Sequence, residues 1–215
     1  MEKQTKEILE HFFGAYPLQR YKKHESVIRE GDPFEKIYFL ESGFVRLYSL
    51  TKNGKEVSFH IYTAGEIFPT FITLSKERST YYFEALTPVG VHAAPIRKYE
   101  LFEQQSPVLS YDLTKRAGEI MEKSFQRMKM LVTESSYYNV CAALFYLCTV
   151  YVPFSGKKSG YCEIPFSHQE ISSWINSTRE TVTRQIQKLA KKGIVRGTHR
   201  NIIVPNISKL EAEID

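Results

Sequence analysis

The chain has 215 residues, 25% charged and 42% hydrophobic, with a formal net charge of +5. That length holds one large domain or two modest ones, and the composition is that of an ordinary globular protein. The stretch 1–10 is too polar for a secretory leader, and no apolar run approaches the roughly 20 residues of a membrane span, so a soluble, cytoplasmic protein with no membrane partner is expected.

Residues 2–14 have the spacing of a short amphipathic helix. From about 19 to 97 the pattern changes to short β-type runs separated by Gly and Pro: 36–40, 44–48, 57–62, 81–86 and 90–94. Asn53-Gly54 between two of them is a strong hairpin signal. Many short strands at this spacing predict an antiparallel sandwich or jelly roll.

Residues 97–104 read as a short helix, and Ser106-Pro107 opens a long one through about Thr133. Within it Leu109, Leu113, Ala117, Ile120, Ser124, Met128 and Leu131 recur at alternating spacings of four and three, the narrow seam of a helix pairing with a partner. Packing on the chain's own β domain explains part of that stripe. A second stripe, Met121, Phe125, Met128 and Val132, leaves room for both contacts. Ser135-Ser136 offers an N-cap for a helix from 137 to about 151, with residues 134–136 as the expected hinge between domains. A polar loop over 153–160 and a short strand over 162–166 follow.

The three cysteines, Cys141, Cys148 and Cys162, form no metal or cluster pattern. Cys141 and Cys148 share a helix face with Cα atoms roughly 10 Å apart, beyond disulfide reach. They are expected to be buried small apolar residues, and an odd count argues against a secreted disulfide framework.

Residues 167–189 carry the most information. Ile171, Trp174 and Ile175 fall at helical spacing, as do Val182, Ile186 and Leu189. Asn176 sits between the two sets, where a tight turn needs a residue tolerant of positive φ. With the apolar faces turned inward, Arg179, Glu180, Thr183 and Arg184 project outward near the start of the second helix. In a helix-turn-helix that half enters the major groove.

The side chains suit base reading. Arg grips guanine N7 and O6, Glu accepts from cytosine N4, and Thr can donate, accept or touch a thymine methyl. Ser167, Gln169, Thr178 and Thr181 are short polar groups suited to phosphate oxygens. Across 177–201, seven cations (Arg179, Arg184, Lys188, Lys191, Lys192, Arg196, Arg200) face one acid, Glu180. That excess, 7 − 1 = +6, exceeds the +5 of the whole chain, so the remainder is close to neutral. Lys188 adds a phosphate contact.

Lys191-Lys192-Gly193 closes the helix with cations and a Gly cap. Ile194-Val195-Arg196 and Asn201-Ile202-Ile203-Val204 then flank Gly197-Thr198-His199-Arg200 as a hairpin, the wing. Arg200 near its tip is placed to meet a phosphate. His199 has no second ligand at usable spacing and reads as a solvated loop residue.

No nucleophile–base pair, metal constellation or phosphate-cradling Gly loop is visible, and the adjacent Ser167 and His168 point apart on a helix. A DNA-binding protein is therefore expected, not an enzyme, with no metal and no cofactor. The alternative, a ligand-binding regulatory module acting through protein contacts, is disfavoured by the +6 segment.

The order β roll, long helix, hinge, winged helix-turn-helix resembles the catabolite-activator/FNR (CRP/FNR) family of bacterial transcription regulators along essentially the whole chain. Gly31, Gly43, Gly54 and Gly65 stand at turns, and Arg179-Glu180-Thr181-Val182-Thr183-Arg184 is similar to that family's recognition-helix motif. The resemblance implies an α+β fold with a cyclic-nucleotide-binding-like antiparallel β jelly roll over 1–106. A dimerisation helix and hinge over 107–136 and a winged helix-turn-helix domain over 137–215 would follow. It also implies a homodimer on pseudo-palindromic double-stranded DNA, RNA polymerase as a partner, and base reading by Arg179, Glu180 and Arg184. Thr183 departs from the Gly or Ser usual in the best-known branches, so the half-site need not equal theirs.

Cyclic-nucleotide-binding members carry a Gly-Glu pair for the ribose and an Arg-Ser pair for the cyclic phosphate. Glu77-Arg78-Ser79-Thr80 is similar to the second element, but Pro69-Thr70 stands at the first and the intervening segment is shorter. Pro has no N–H to donate, and Thr brings no carboxylate. Ser124-Phe125 lies near where an adenine would be met, and Phe125 cannot hydrogen-bond. Cyclic AMP is therefore not the expected effector.

The first cysteine is Cys141, so no N-terminal thiolate cluster holds an iron–sulfur centre. His60 and His92 read as packed or surface histidines rather than haem ligands. What remains is an apolar, aromatic pocket of Phe59, Ile61, Phe68, Phe71, Phe83 and Met128, with Arg78 beside it. This is similar to members that sense small organic molecules, such as the chlorinated-phenol-responsive regulators. A filled core, giving an effector-independent regulator, is the other reading.

Overall fold

The structure is a computed structural model that describes residues 3–69, 78–132, 135–151, 160–198 and 201–214. Two compact units divide the chain, Met1–Ser49 with Ser58–Ser124, and Leu50–Val57 with Phe125–Asp215.

The first unit begins with helix α1 (Lys3–Phe13) and continues through β1 (Leu18–Tyr21), β2 (Ser26–Ile28), β3 (Lys36–Ser42), β4 (Phe44–Leu50), β5 (Glu56–Thr63), β6 (Ile67–Phe68), β7 (Tyr82–Ala85) and β8 (Val89–Pro95). Two four-stranded sheets result, in the orders β1-β8-β3-β6 and β2-β7-β4-β5, with antiparallel registers such as Phe39↔His92 and Leu47↔Phe83. Strand periodicity sorts the apolar residues between two cores. On β3, Leu40 joins Val45, Leu47, Tyr62, Phe68, Phe83 and Val91 inside the roll. Its neighbours Ile37 and Phe39 face the other way, onto Leu9 and Phe13 of α1 and Tyr99 of α2 (Ile96–Gln104).

Helix α3 runs Pro107–Leu131. Its first turns belong to the roll: Leu109 is fully buried in the core beneath α1 and α2, and Leu113 packs against the same cluster. This corrects the expected partner seam, whose first two positions serve the chain's own β domain. The stripe contains both kinds of contact because a strict seven-residue repeat drifts around a 3.6-residue helix. Arg116 further ties α3 to Glu66, whose carboxylate also accepts from the Thr63 amide at 2.6 Å. Ser124 is exposed and donates back to the Ile120 carbonyl at 2.8 Å, while the Leu131 side chain lies outside the described residues. Among the described residues, the exposed large apolar ones of α3 from Met121 onward are those of the second stripe, Met121 (57%), Phe125 (56%) and Met128 (61%), with Val132 (83%) just beyond its end.

The second unit holds α4 (Ser136–Tyr146), which continues as a π-helical turn over Leu147–Tyr151. Ser135 caps α4, its hydroxyl accepting from the Tyr138 amide at 3.3 Å. Then come β9 (Cys162–Ile164), α5 (His168–Trp174), α6 (Arg179–Lys191), β10 (Arg196–Thr198), β11 (Asn201–Val204) and α7 (Ile207–Glu211). Leu144, Leu147, Phe166, Ile171, Trp174, Val182, Leu189 and Val204 are among the residues buried in this unit.

Two of the cysteines depart from the expectation of unpaired apolar residues. Cys148 and Cys162 form a disulfide, with Cα atoms 5.6 Å apart, and Cys141 alone is free and buried. Helical geometry excluded only the pair within one helix. The true partner comes from β9, which returns beside the end of α4.

Candidate nucleic-acid interface

Helix α5 starts from a capping box: the Ser167 hydroxyl accepts from the Glu170 amide at 3.2 Å, and the Glu170 carboxylate accepts from the Ser167 amide. It ends at Ile175, and the chain turns through Asn176 at φ 52°, where an unbranched polar residue bears the left-handed conformation. The Ser177 amide donates back to the Ser172 carbonyl at 2.9 Å, closing the turn. Thr178 caps α6, accepting from the Thr181 amide at 3.1 Å and donating to the Thr181 hydroxyl at 3.0 Å. Ile171 and Trp174 on α5, and Val182, Ile186 and Leu189 on α6, are buried, as their spacing demands.

The outward face of α6 is therefore fixed. Arg179, Glu180, Thr183, Arg184 and Gln187 line one open depression of about 320 Å³. Arg179, Glu180 and Arg184 are exposed and make no side-chain hydrogen bond or ion pair with another described residue, while Thr183 is half-buried. Gln187, four residues beyond Thr183, was missed in the sequence although its spacing puts it on this face. Gln169, Thr178 and Lys188 are exposed, and Ser167 and Thr181 half-buried.

Beyond α6, Gly193 takes φ 70° and the chain enters the wing. β10 and β11 pair with Arg196↔Ile203, and β11 pairs with β9 through Ile202↔Ile164, so the wing is a three-stranded sheet. Gly197 stands at φ 122°, where a Cβ would run into the Asn201 carbonyl. His199 and Arg200 lie outside the described residues.

Lys192, one of the counted cations, is engaged elsewhere: it donates to Glu213 at 2.6 Å, and Tyr137 also donates to that carboxylate at 2.5 Å. These two donors hold the Glu213 carboxyl below its ordinary range. Burial, with the hydrogen bond to Glu213, pushes the Tyr137 phenol up to about 12, and burial pushes the Cys141 thiol up to about 11.

Residues 18–103 match the cyclic nucleotide-binding domain family, and residues 140–213 match the Crp-like helix-turn-helix domain family. The chain belongs to the CRP/FNR family of transcription regulators. It is similar to the global nitrogen regulator of Nostoc sp. strain PCC 7120, 26% identical over 85% of this chain and 83% of that protein. In structure it is similar to FixK2 from Bradyrhizobium japonicum, with a TM-score of 0.78, 20% identity and coverage of 93% and 98%. A CRP/FNR transcriptional regulator from Thermus thermophilus gives a TM-score of 0.72 at 24% identity, covering 92% and 98%. This CRP/FNR protein is thus a transcription regulator with a DNA-binding helix-turn-helix, in a family that is not enzymatic.

The family's nucleotide-binding roll prompts the question of what this regulator's roll holds. Arg78, of the Arg-Ser pair that the sequence resemblance singles out, is exposed and donates to the Gly31 carbonyl at 2.8 Å. Ser79 is buried, its hydroxyl donating to the Tyr81 carbonyl at 2.7 Å and accepting from the Tyr81 amide at 3.1 Å. Both groups are thus engaged by the local turn, a poor fit to a cyclic phosphate. Pro69 is buried, and Thr70, Phe71 and Glu77 lie outside the described residues.

The expected aromatic pocket does not assemble as one surface. Phe68 and Phe83 stack on each other at 5.6 Å within the core, with Tyr62 5.2 Å from Phe68. Phe59 and Ile61 alternate with Tyr62 along β5 and so fall on its opposite face; Phe59 is 40% exposed, edge-on to Tyr81 at 5.4 Å. Met128 is exposed on α3. The side of β5 shared with Tyr62 instead carries Ser58 and His60, both buried, with His60 edge-on to Tyr62 at 4.6 Å.

Proposed function

We infer that this regulator acts as a homodimer on a pseudo-palindromic double-stranded site, with Arg179, Glu180, Thr183 and Arg184 reading bases in each half-site. The observation that carries this is the exposed row on α6: charged groups without intramolecular partners among the described residues, on a helix whose other faces are fixed by packing and whose start is capped. Gln169, Lys188 and Arg200, with the hydroxyls of Ser167 and Thr181, take phosphate oxygens. Thr178 acts through the cap it builds, because its own hydroxyl hydrogen goes to Thr181. The dimer forms on α3 through Met121, Phe125, Met128 and Val132, an apolar stripe that water otherwise covers.

The effector is a small organic molecule other than cyclic AMP, held in the roll. It shifts α3 and so the spacing of the two readers. The stacked Phe68–Phe83 core favours a second reading, an effector-independent regulator of the same family. RNA polymerase is the further partner, and the cytoplasm is the compartment. Among the described residues no helix is long and apolar enough to cross a membrane.

The test is selection of bound DNA from a random pool, with and without cell extract. A two-fold-symmetric site that loses affinity steeply with salt is expected. Enrichment only when extract is present supports an effector; equal enrichment supports the second reading. No enrichment in either arm sinks the DNA-reading assignment.

A further inference from the structure

Within the reading row, Thr183 has a partner inside the protein. His168 Nδ1 lies 2.9 Å from Thr183 Oγ1. His168 opens α5 and is 4% exposed, so the imidazole is held between the two helices rather than in solvent. Thr183 stands four residues from both Arg179 and Gln187, in the same open depression.

We propose that His168 determines which bases Thr183 accepts, by fixing the direction of the Thr183 hydroxyl. This rests on the reading of α6 as the base-reading helix. A hydroxyl has one hydrogen to donate and two lone pairs. If Nδ1 carries a hydrogen, it donates to Oγ1, and Thr183 keeps its own hydrogen for the groove. That hydrogen suits the base acceptors guanine O6 and N7, adenine N7 or thymine O4, while one lone pair of the hydroxyl remains. If Nδ1 is bare, it takes the Thr183 hydrogen, and Thr183 offers the groove only lone pairs. The complementary atoms are then the amino groups of adenine N6 and cytosine N4. The imidazole thus sets what Thr183 has left to offer: a bare Nδ1 leaves it lone pairs only, and an Nδ1–H takes one lone pair and leaves the hydroxyl hydrogen with the other. His168 is a positioning residue: it acts through Thr183 and touches no base.

The experiment selects half-sites from random DNA with the full-length protein and with Arg184→Ala, Thr183→Val, His168→Phe and the Thr183→Val/His168→Phe double variant. Thr183→Val is expected to lose about three- to tenfold of preference, the range of one hydrogen bond, at a single base pair per half-site. His168→Phe should change the preference at that same pair and leave the pair read by Arg184 as it was. In the double variant the profile should equal that of Thr183→Val alone, because the proposed effect of His168 on base preference runs through the Thr183 hydroxyl. A merely structural role for His168 would weaken all positions together and add to the Thr183→Val effect, and that result overturns the proposal.

If Arg184→Ala alters the half-site while Thr183→Val does not, the His168 proposal fails and the reading of α6 stands. If neither alters it, both fail. Should His168→Phe not fold, His168→Asn replaces it. Its amide offers both a donor and an acceptor near Nδ1, so the preference should broaden at the Thr183 pair only. An unchanged preference there overturns the proposal.

Discussion

Arg127 lies over the indole of Trp174, its guanidinium carbon 4.1 Å from the ring centroid, and its Nε donates to the Trp174 carbonyl at 3.0 Å. Trp174 is the last residue of α5, so that carbonyl sits at the negative end of the helix. Tyr146 of α4 stacks on the same indole at 6.0 Å. A planar cation thus joins the last turns of α3 to the helix pair that presents α6. Arg127→Ala is expected to cost about 1–2 kcal/mol in denaturant unfolding. Arg127→Lys should recover less than half of that, because an ammonium keeps the charge but neither the fork nor the stacking plane. Equal stability of all three proteins would mean that the contact contributes nothing.

The turn between α5 and α6 makes a second prediction. Asn176 is exposed, and its φ of 52° is adopted readily by Gly and tolerated by Asn. Asn176→Ala should destabilise by about 1 kcal/mol, whereas Asn176→Gly should stay within about 0.5 kcal/mol of the parent. Thermal unfolding of the two variants separates conformational strain from loss of a polar contact, since both remove the same amide.

The Lys192–Glu213–Tyr137 cluster sets a pH dependence whose sign is fixed. Lys192, then Tyr137, lowers the Glu213 carboxyl, so its contribution is complete above the ordinary carboxylate range and is lost as pH falls through the folded-state value. Lys192 is raised by Glu213 and then Tyr137, so its contribution holds below the ordinary lysine value and is lost as pH rises through the folded-state value. The pair is partly solvated, with side chains 52% and 20% exposed, so the effect is small. Glu213→Gln should unfold at lower denaturant than the parent near pH 7, and the gap should close toward about pH 3. A gap that widens on acidification would refute the assignment.

Much of this was readable in the chain because local rules and global packing agree over 167–193. Apolar spacing, Asn176 and Gly193 each specify the same backbone, whereas the caps at Ser167 and Thr178 emerge only in the structure, the sequence having suggested phosphate contacts there. The strand order of the roll was readable only as a class, since β1 and β2 are four and three residues long and carry too little pattern. What stayed hidden depends on chain segments meeting at a distance. Leu109 fits a partner seam and a core equally well until α1 is packed above it. His168 is a helix-face residue until α6 brings Thr183 to it. The expected pocket of Phe59 with Phe68 is a different case. Strand alternation over 57–62 puts Phe59 and Tyr62 on opposite faces, so that conflict was legible in the chain itself.

The disulfide gives a fourth test. Cys148 and Cys162 are separated by 14 residues, and closing such a loop in the unfolded chain is worth roughly 3 kcal/mol. In oxidising buffer Cys162→Ser should unfold at correspondingly lower denaturant. With reductant present the two proteins should converge to within about 1 kcal/mol. No difference in either buffer would show that the cysteines are not linked in solution.

The two kinds of cation on α6 should fail in different ways. Arg184 belongs to the row proposed to read bases, so Arg184→Ala should cost about 1–3 kcal/mol, roughly 5- to 150-fold in affinity, and relax the preference at one G·C pair per half-site. Its loss falls on specific DNA and barely on non-specific DNA. Lys188 is one turn further along and exposed. Lys188→Ala should weaken all sequences alike and reduce the slope of log K against log salt by about one per half-site. Titrations of both variants at several salt concentrations, on the selected site and on random DNA, discriminate the roles. If Arg184→Ala changed only the salt slope, the positive charge of α6 would be steering the protein to DNA without reading it, and specificity would have to reside elsewhere on the helix.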